Sequence, residues 1–564
     1  MKYYFIIFFA IIGPYCLNGQ TIYVQSDHWV YDYLDRLETL KIIPAVHNGT
    51  LPMTRSKIAG YLRFISKSPN QFEKLNNLDQ EQFYYLLIEF QDELEDFLEN
   101  QTMYDSCFFK WLHKSKMDPI IPDFIYKNNR NLFSFINDPL IAYWDPIFFR
   151  SRLFADTDTS QAREYVFQDT NGFRLWGFLG RYVGFMVDVR DTREWGSRQY
   201  PNQKNYTEKG LGFVQGNGDF IYHDETRAYS VVSSNHFSIL FGKDDNRWGP
   251  GTQSQLALSD RATTYDQFRL KFHTSRITFT HVYAWLQHYQ PDFFYGNYAQ
   301  KALTAHRLEF TPWSWLDMGI HEVIVFSGRM FEAGYANPFM FYRSAEHYLG
   351  DRDNALIGFD FEFKAVARSK FYGEVLFDDF KASKLGSDYY GNKYAWMMGC
   401  FIADPFRLSN FEMRAEYSYI RPYTYSHENP LNSYVQYNTP LGHYLGPNAK
   451  ELFVEFAFQP KRWLGLLTRI KQSSKGENTD LLNVGGNILV PANPVDYGDS
   501  APFLEGALSK VLNIGFETRM EFLRNMWVNL SLDYFCLDRE ATLENPELVN
   551  SKTFQANFML SINY

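Results

Sequence analysis

Phe558-Met559-Leu560-Ser561-Ile562-Asn563-Tyr564 are the final residues of the chain. Phe558, Leu560, Ile562 and Tyr564 alternate with Met559, Ser561 and Asn563, so one face of an extended strand is apolar and the other polar. Termini of water-soluble domains usually fray into polar residues. A strand that keeps an apolar face to its last residue needs a partner, and in a closed barrel that partner is the first strand. The reading predicts a membrane barrel, with the partner near residues 148–154.

The same period of two runs backward through the chain. Val528, Leu530, Leu532 and Tyr534 oppose Asn529, Ser531 and Asp533, after a turn at Arg524-Asn525. Ile514, Phe516, Met520 and Phe522 oppose Gly515, Glu517, Arg519 and Glu521. Ile357, Phe359, Phe361 and Phe363 oppose Gly358, Asp360, Glu362 and Lys364. Phe268, Leu270 and Phe272 alternate with Arg269, Lys271 and His273, and Val183, Phe185, Val187 and Val189 alternate with Tyr182, Gly184, Met186, Asp188 and Arg190 after a turn at Leu179-Gly180-Arg181. A soluble sandwich also alternates. Segments near ten residues joined as short-turn hairpins, with Asp, Glu, Arg, Lys and Gly on the polar face, favour a barrel with a wet or packed lumen. At about 23–26 residues per strand and loop, the roughly 420 residues from 145 onward give about 16–18 strands. Stretches 191–224 and 421–450, rich in Gly, Pro, Asn and Tyr, read as long loops, which in such barrels face outward.

The first 19 residues read as a secretory leader, with Lys2 ahead of apolar Phe5–Ile12 and a cleavage site after Gly19. No later run reaches the ~20 apolar residues of a spanning helix. Without Lys2 the formal charge of −10 becomes −11, which argues against nucleic acid as a partner. Cys107, Cys400 and Cys536 are too far apart for a disulfide framework or a metal knuckle. From Gln20 to about residue 140 the period is helical. Asp27 can cap a helix carrying Trp29, Tyr33, Leu37 and Leu40, and Thr54 one carrying Ile58, Tyr61, Leu62 and Ile65. After Asp79, Phe83, Leu86, Leu87, Phe90, Leu94, Phe97 and Leu98 form one apolar face. The expected division is a leader at 1–19, a helical domain at 20–144 and a barrel at 145–564. The fold class is mainly β: a large antiparallel transmembrane β-barrel with an N-terminal periplasmic α-helical bundle.

Asn246-Arg247-Trp248-Gly249-Pro250-Gly251, followed by Leu256, Leu258, Ser259 and Asp260, resembles the Wzi-like capsule-assembly family of outer-membrane proteins. There an Arg-Trp-Gly motif precedes a short apolar stretch ending in Ser-Asn or Ser-Asp. Tyr335-Ala336-Asn337-Pro338-Phe339, Tyr372 to Asp379, Pro422 to Tyr425 and Leu441 to Gly446 are similar to later segments of the family, in order. The resemblance implies an outer-membrane barrel with a helical bundle on its periplasmic side. It implies a lectin that holds capsular polysaccharide on a Gram-negative cell surface, with no catalysis and no cofactor. Asp27-His28-Trp29 and Pro52-Met53-Thr54-Arg55 are similar to one surface-layer-homology unit, which implies a peptidoglycan contact through the N-terminal domain. The alternatives left open are a surface component of adhesion or gliding motility and a porin-like channel.

Aromatics make up 18% of the chain, with 40 Tyr and 52 Phe. Membrane girdles and sugar-stacking surfaces both use rings, and composition does not separate them. Arg247 and Trp248 are the first candidates for sugar contacts, since a guanidinium fork donates to hydroxyl or uronate oxygens and an indole stacks on a sugar face. The same residues read first of all as a Gly-Pro turn with Trp248 filling the lumen. Tyr423, Tyr425 and His443 in family-like loops come second, with Asp260 and Asp379 as polar contacts. Asp378 and Asp379 are adjacent on a strand, point to opposite faces and cannot work as an acid–base pair. Gly498-Asp499-Ser500 lacks the strand–turn–helix setting of a nucleophile. The scattered histidines lack ligand spacing, so no metal is expected. The expected partners are a capsular or other surface polysaccharide, outer-membrane lipid and, through the aromatic terminus, the barrel-assembly machinery.

Overall fold

Thr553–Asn563 pair antiparallel with Ile147–Thr157, placing Phe558 opposite Arg152 and Ile562 opposite Phe148. That seam closes a barrel of 18 antiparallel strands. The computed structural model describes residues 21–94, 130–137, 139–158, 163–180, 182–197, 210–212, 214–217, 220–234, 236–288, 300–479, 481–492, 498–540 and 549–563. The leader-like residues 1–19, Phe97, Leu98, Cys107, Arg181 and Tyr564 lie outside them.

The first nine wall strands are β1 (Leu140–Thr157), β2 (Glu164–Leu179), β3 (Val183–Gly196), β4 (Phe220–Ser233), β5 (Phe237–Asp244), β6 (Tyr265–His273), β7 (Ile277–Leu286), β8 (Lys301–Trp313) and β9 (Leu316–Ser327). The rest are β10 (Asn354–Phe363), β11 (Ser369–Asp379), β12 (Lys393–Ala403), β13 (Phe411–Ile420), β14 (Ala449–Lys461), β15 (Leu464–Glu477), β16 (Ala507–Leu523), β17 (Met526–Arg539) and β18 (Val549–Asn563). β3 and β4 claim both ends of the stretch read as a loop at 191–224. The alternation persists there, with Arg193 and Trp195 in place of aliphatics, so the sheet goes on where apolar periodicity fades.

Sidedness follows the alternation. Phe148, Phe241, Phe268, Phe359, Phe516 and Phe558 stand exposed on the outer wall. Gln267, Arg269, Arg307, Asp360, Glu374 and Glu416 are buried inside. At one end the strands are joined by tight turns, as at Gly180 and Arg524-Asn525, and at the other by long loops. No described helix is long and apolar enough to cross a membrane.

The N-terminal residues close the tight-turn end. Helix α1 is Val30–Thr39, α2 Arg55–Ser66 and α3 Asn77–Glu89. Val30, Leu34, Leu37, Ile58, Leu62, Leu86 and Phe90 form their common core. Thr54 caps α2 as expected, its side chain accepting from the Lys57 amide. Asp27 does not cap α1; the His28 ring does, Nδ1 accepting from the Val30 amide at 3.1 Å. α3 starts ahead of Asp79, with Asn76 as its cap, and gives way to a 3₁₀ turn at Gln91–Leu94, so the long apolar face is broken after Phe90.

Charge fixes the helices to the wall. Arg36 Nε lies 3.0 Å from Asp79 on α3, and its Nη1 lies 2.9 Å from Asp404 in a wall turn. Lys364 joins Glu38 at 2.6 Å and also Asp317, while Lys370 joins Asp35. Glu89 meets Arg55 at 3.1 Å and Arg524 at 3.4 Å. Burial alone would raise the Glu89 carboxyl, but the guanidiniums of Arg55, Arg130 and Arg524 outweigh it and hold it at about 2. Buried charges repay desolvation only when paired and hydrogen-bonded; here Arg36–Asp79 and Arg55–Glu89 tie helix to helix, and Arg36–Asp404, Lys364–Glu38, Lys370–Asp35 and Arg524–Glu89 tie helix to wall.

Arg36→Ala leaves Asp79 and Asp404 without their shared cation and should cost about 3–5 kcal/mol of helix docking. The expected result is rapid protease nicking within residues 21–94 while the barrel keeps its heat-modifiable gel migration. Undiminished protease resistance would show that apolar packing alone seats the helices.

Burial lowers the His28 imidazole from 6.5 to about 4, so the docked state favours the neutral acceptor ring. Its stabilisation is complete above about pH 6.5 and is lost as pH falls towards 4. Melting of the near-ultraviolet signal should therefore shift downward between pH 7 and 4.5, and shift less in His28→Gln. Equal shifts in both proteins would remove His28 from the acid response.

Candidate functional site

Arg247 and Trp248 pair with the N-terminal segment, Thr50 opposite Trp248 and Leu51 opposite Arg247. The loop that follows β5 turns into the lumen. Gly249, at φ +119°, makes the bend, and a Cβ there would collide with the Glu374 carboxylate. Glu374 accepts from the amides of Gly251 at 3.2 Å and Leu256 at 2.7 Å. Glu416 accepts from the amides of Thr252 at 2.5 Å and Gln253 at 3.0 Å, and from the Tyr372 hydroxyl at 2.8 Å. Two wall carboxylates thus pin one inward loop by four backbone donors.

A second loop, after β13, meets the first. Tyr425 donates its hydroxyl to Leu256 O at 2.7 Å, and Tyr434 donates to Ala257 O at 2.8 Å. Their rings stack 5.5 Å apart at 13°. Ser259 donates to Gly442 O at 2.9 Å. Trp248, Leu256, Leu258, Tyr425, Tyr434 and Leu441 belong to one apolar core within the barrel. The expectation that 421–450 faces outward is corrected, because its apolar rings and Gly442 fill the lumen.

This geometry sorts the candidate residues. Trp248 and Tyr425 are fully buried and His443 is 1% exposed. Burial, with Arg261 adding to it, lowers the His443 ring to about 3, so it stays a neutral part of the packing. Arg247 donates to Gly251 O at 2.7 Å. Arg247 and Asp260 line a cavity of about 570 Å³ between the helices and the wall, with Arg36, Arg414, Arg469 and Glu517. Its charges answer one another: Arg414 meets Asp32 at 3.2 Å and Glu455 at 3.4 Å, and Arg469 meets Glu455 at 3.0 Å and Glu517 at 3.2 Å. The cavity therefore offers no excess charge to a ligand. Among the described residues no cluster of three or more His, Cys, Asp or Glu is placed to hold a metal.

Asp379 and Tyr423 lead to the long-loop end. The Asp379 side chain is 58% exposed, 4.0 Å from Lys393. Tyr423 is buried, its hydroxyl bonded to Asn483 O, and its ring supports that of Tyr390 edge-on at 6.3 Å. Tyr390 and Tyr389 are partly exposed, with ring centres 5.2 Å apart. Their loop is tied to the one after β15, with the Tyr390 amide donating to Asp499 O at 3.0 Å and the Ala501 amide to Asp388 O at 2.6 Å. Lys381 and Lys384 place their ammonium groups 5.8 and 5.7 Å from the Tyr389 ring. Burial, then Tyr389 and the carboxylates of Glu428, Asp499 and Asp379, push the Tyr390 phenol up, which keeps it a neutral donor. Paired rings bordered by carboxylates and ammonium groups can stack on a polyol and hydrogen-bond its rim. The sequence reading missed Tyr389 and Tyr390; the available signal was an aromatic doublet, Asp388-Tyr389-Tyr390-Gly391, in a loop otherwise mainly of Lys, Ser, Gly and other small or polar residues.

The model of the family described as capsule assembly protein Wzi matches residues 195–546. No curated protein sequence matches the chain. Among solved structures, Wzi of Escherichia coli, described as an outer-membrane protein involved in group 1 capsule assembly and a carbohydrate-binding β-barrel, aligns with 96% of this chain and 99% of its own. The identity is 13% and the TM-score 0.54, a likeness of fold. OccAB1 of Acinetobacter baumannii covers 75% of this chain and 96% of its own at 9% identity and TM-score 0.43. OprD of Pseudomonas aeruginosa covers 75% and 96% at 10% and 0.39. Both are too distant to bear on function.

Replacing Glu374 and Glu416 together by Ala leaves four buried amides without acceptors, at about 1–3 kcal/mol each. The inward loop should loosen, and conductance in planar bilayers should rise from closed to stepwise openings. A double variant as silent as the parent would show that the apolar core alone holds the loop.

Proposed function

The chain belongs to the Wzi capsule-assembly family, and from that membership we propose that it is an outer-membrane barrel that binds a surface polysaccharide and retains capsule at the cell surface, without catalysis. The observation that carries this reading is where the loops go. Two fold inward and pack the lumen, while the Asp388–Tyr390 segment stays at the long-loop end with partly exposed rings and carboxylates. A solute-conducting reading loses ground to that packing.

In this reading the tight-turn end faces the periplasm. Residues 1–19 are a leader, those up to 139 a periplasmic domain that braces the barrel, and those from β1 at Leu140 onward the membrane barrel, which starts five residues before the expected boundary at 145. Tyr389 and Tyr390 stack on sugar faces, with Asp379 and Asp388 accepting hydroxyls at the rim. Single ring contacts are weak, so retention comes from repeats of one polymer engaging many copies. Arg247, Trp248, Asp260, Tyr425 and His443 act on binding only by holding the loops, and Tyr423 by supporting Tyr390.

A stacking contact is worth about 0.5–1.5 kcal/mol, so Tyr389→Ala and Tyr390→Ala should each weaken binding up to about tenfold. The measurement is a titration of the purified barrel with the organism's own surface polysaccharide. Trp248→Ala should instead lower thermal stability, by about 3–5 kcal/mol for a buried Trp. Full binding by a Tyr389→Ala/Tyr390→Ala double variant would move the site elsewhere.

A further inference from the structure

The loop between β9 and β10 goes neither up nor in. It folds down the outside of the wall, where it forms two short helices, Ala333–Ala336 and Tyr342–Tyr348. Beneath it lies a polar row on three adjacent strands: His281 of β7 directly opposite His306 of β8, which is directly opposite Glu322 of β9. These alternate with Val282, Arg307 and Val323, which belong inside, so the row faces outward. Ionisable side chains on a lipid-facing wall are costly unless covered and partnered. Tyr342 supplies the cover. Its hydroxyl shares a hydrogen bond with His281 Nδ1 at 3.0 Å, its ring stacks on His306 at 4.2 Å, and its amide donates to Glu322 at 3.0 Å. His306 Nε2 lies 2.9 Å from the same carboxylate. The base of the loop is clamped by Arg329 and Tyr335 on Asp353.

The opposite side of this flap carries a group of exposed rings. Phe339 is 86% exposed, Tyr348 91%, Phe331 66% and Phe341 57%. Phe339 stacks on Phe279 at 5.9 Å and 9°, and Phe279 is paired with the outward Leu308. Leu308 lies five residues above Trp313, which stacks on Trp315 at 5.2 Å at the tight-turn rim. A wall residue climbs about 2.5 Å per position in a strand tilted near 40°, so Phe339 sits about 12 Å above that rim, near the middle of a ~25 Å apolar band. Arg329, Glu332, Glu346 and Asp353 are held in ion pairs within the flap, and its exposed charged residues, Arg343, His347, Asp351 and Arg352, lie together on the second helix and the turn after it.

We propose that the flap of residues 328–353 is seated in the acyl region of the outer leaflet, sealing the His281–His306–Glu322 row from lipid with one face and presenting Phe331, Phe339, Phe341 and Tyr348 to lipid with the other. The inference rests on the membrane reading of the barrel and adds a lipid-contact element outside the strands. It continues the apolar wall instead of interrupting it, which commits the surface to lipid and not to a second copy or another protein.

The test is spin labelling of the mature chain, residues 20–564, in phospholipid vesicles, on a background with Cys107, Cys400 and Cys536 replaced by Ala. Labels at Phe339→Cys and Tyr348→Cys are compared with Phe241→Cys on the open wall and Leu481→Cys on a long loop. The expected result is that the flap labels collide several-fold more with oxygen than with a water-soluble nickel chelate, as at Phe241→Cys. Nickel access as at Leu481→Cys, with Phe241→Cys still lipid-like, overturns the flap and spares the barrel. Immobile flap labels shielded from both reagents also overturn it, since protein then covers the face. A water-exposed Phe241→Cys label sinks both readings.

Discussion

A chain that crosses hydrocarbon with strands must satisfy every backbone donor and acceptor within the sheet, since no water is there to take up the remainder. The β18–β1 seam is where this requirement is met. Left open, those two strands would each present a row of unpaired amides and carbonyls to lipid. Once the seam closes, every wall residue has one of two fates. Apolar members of each alternation mostly face outward, the covered His281–His306–Glu322 row apart, and Gly, Asp, Glu, Arg and Lys share the interior with apolar residues such as Val282 and Val323. The charged lumen is thus a consequence of closure, and the rest of the molecule is a way of living with it.

Two devices fill that interior, and they contribute differently. Ion pairs such as Arg36–Asp79–Asp404 and Lys364–Glu38 roughly offset their own desolvation, so their main effect is to set the register of the helices against the wall. The apolar core around Trp248, Leu256, Leu258, Tyr425 and Tyr434 supplies net stabilisation, at about 25 cal/mol for each Å² taken from water. Glu374 and Glu416 serve both. Each neutralises backbone donors that would otherwise be stranded when the Gly249 bend carries its loop inside. Apolar packing retains the loops, and the carboxylates decide where they lie.

The architecture was legible because it rests on local periodicity. The alternation through Ile514–Phe522 and Phe558–Ile562 identifies the wall, and the helical spacing of Leu34, Leu37, Ile58 and Leu62 identifies the N-terminal core. Thr54 as a cap and the partner of the last strand follow from the same local rules. The site was poorly legible because it depends on pairings between distant residues. Nothing near Tyr425 in sequence shows that its hydroxyl will meet Leu256, 169 positions away. Nothing near Trp248 shows that Thr50 will pair with it. Gly-rich, Tyr-rich loops look alike whether they rise, turn inward or drape over the wall, since each destination suits rings and small residues. His28 in place of Asp27 at the start of α1 is a smaller case: both can accept from a backbone amide, and the ring wins because it also packs beside Trp29 at 5.9 Å.

The abundance of rings, ambiguous in the composition, resolves by asking what each hydroxyl touches. Phenylalanine has no polar atom and suits the outer wall, where Phe241, Phe268 and Phe359 stand. A buried tyrosine needs a partner for its oxygen, and the lumen provides them: Leu256 O for Tyr425, Ala257 O for Tyr434, Glu416 for Tyr372. Tyr342 fits the same rule from outside, its hydroxyl spent on His281 and Thr304 while its ring covers His306. Tyrosines with a buried, committed hydroxyl are therefore structural wherever they sit. Tyr389 and Tyr390 differ in being partly exposed at the loop end, with Lys381 and Lys384 near the Tyr389 ring. Ligand recognition needs a ring that the fold has left uncovered, and by that criterion a test of the proposed polysaccharide binding starts at Tyr389 and Tyr390.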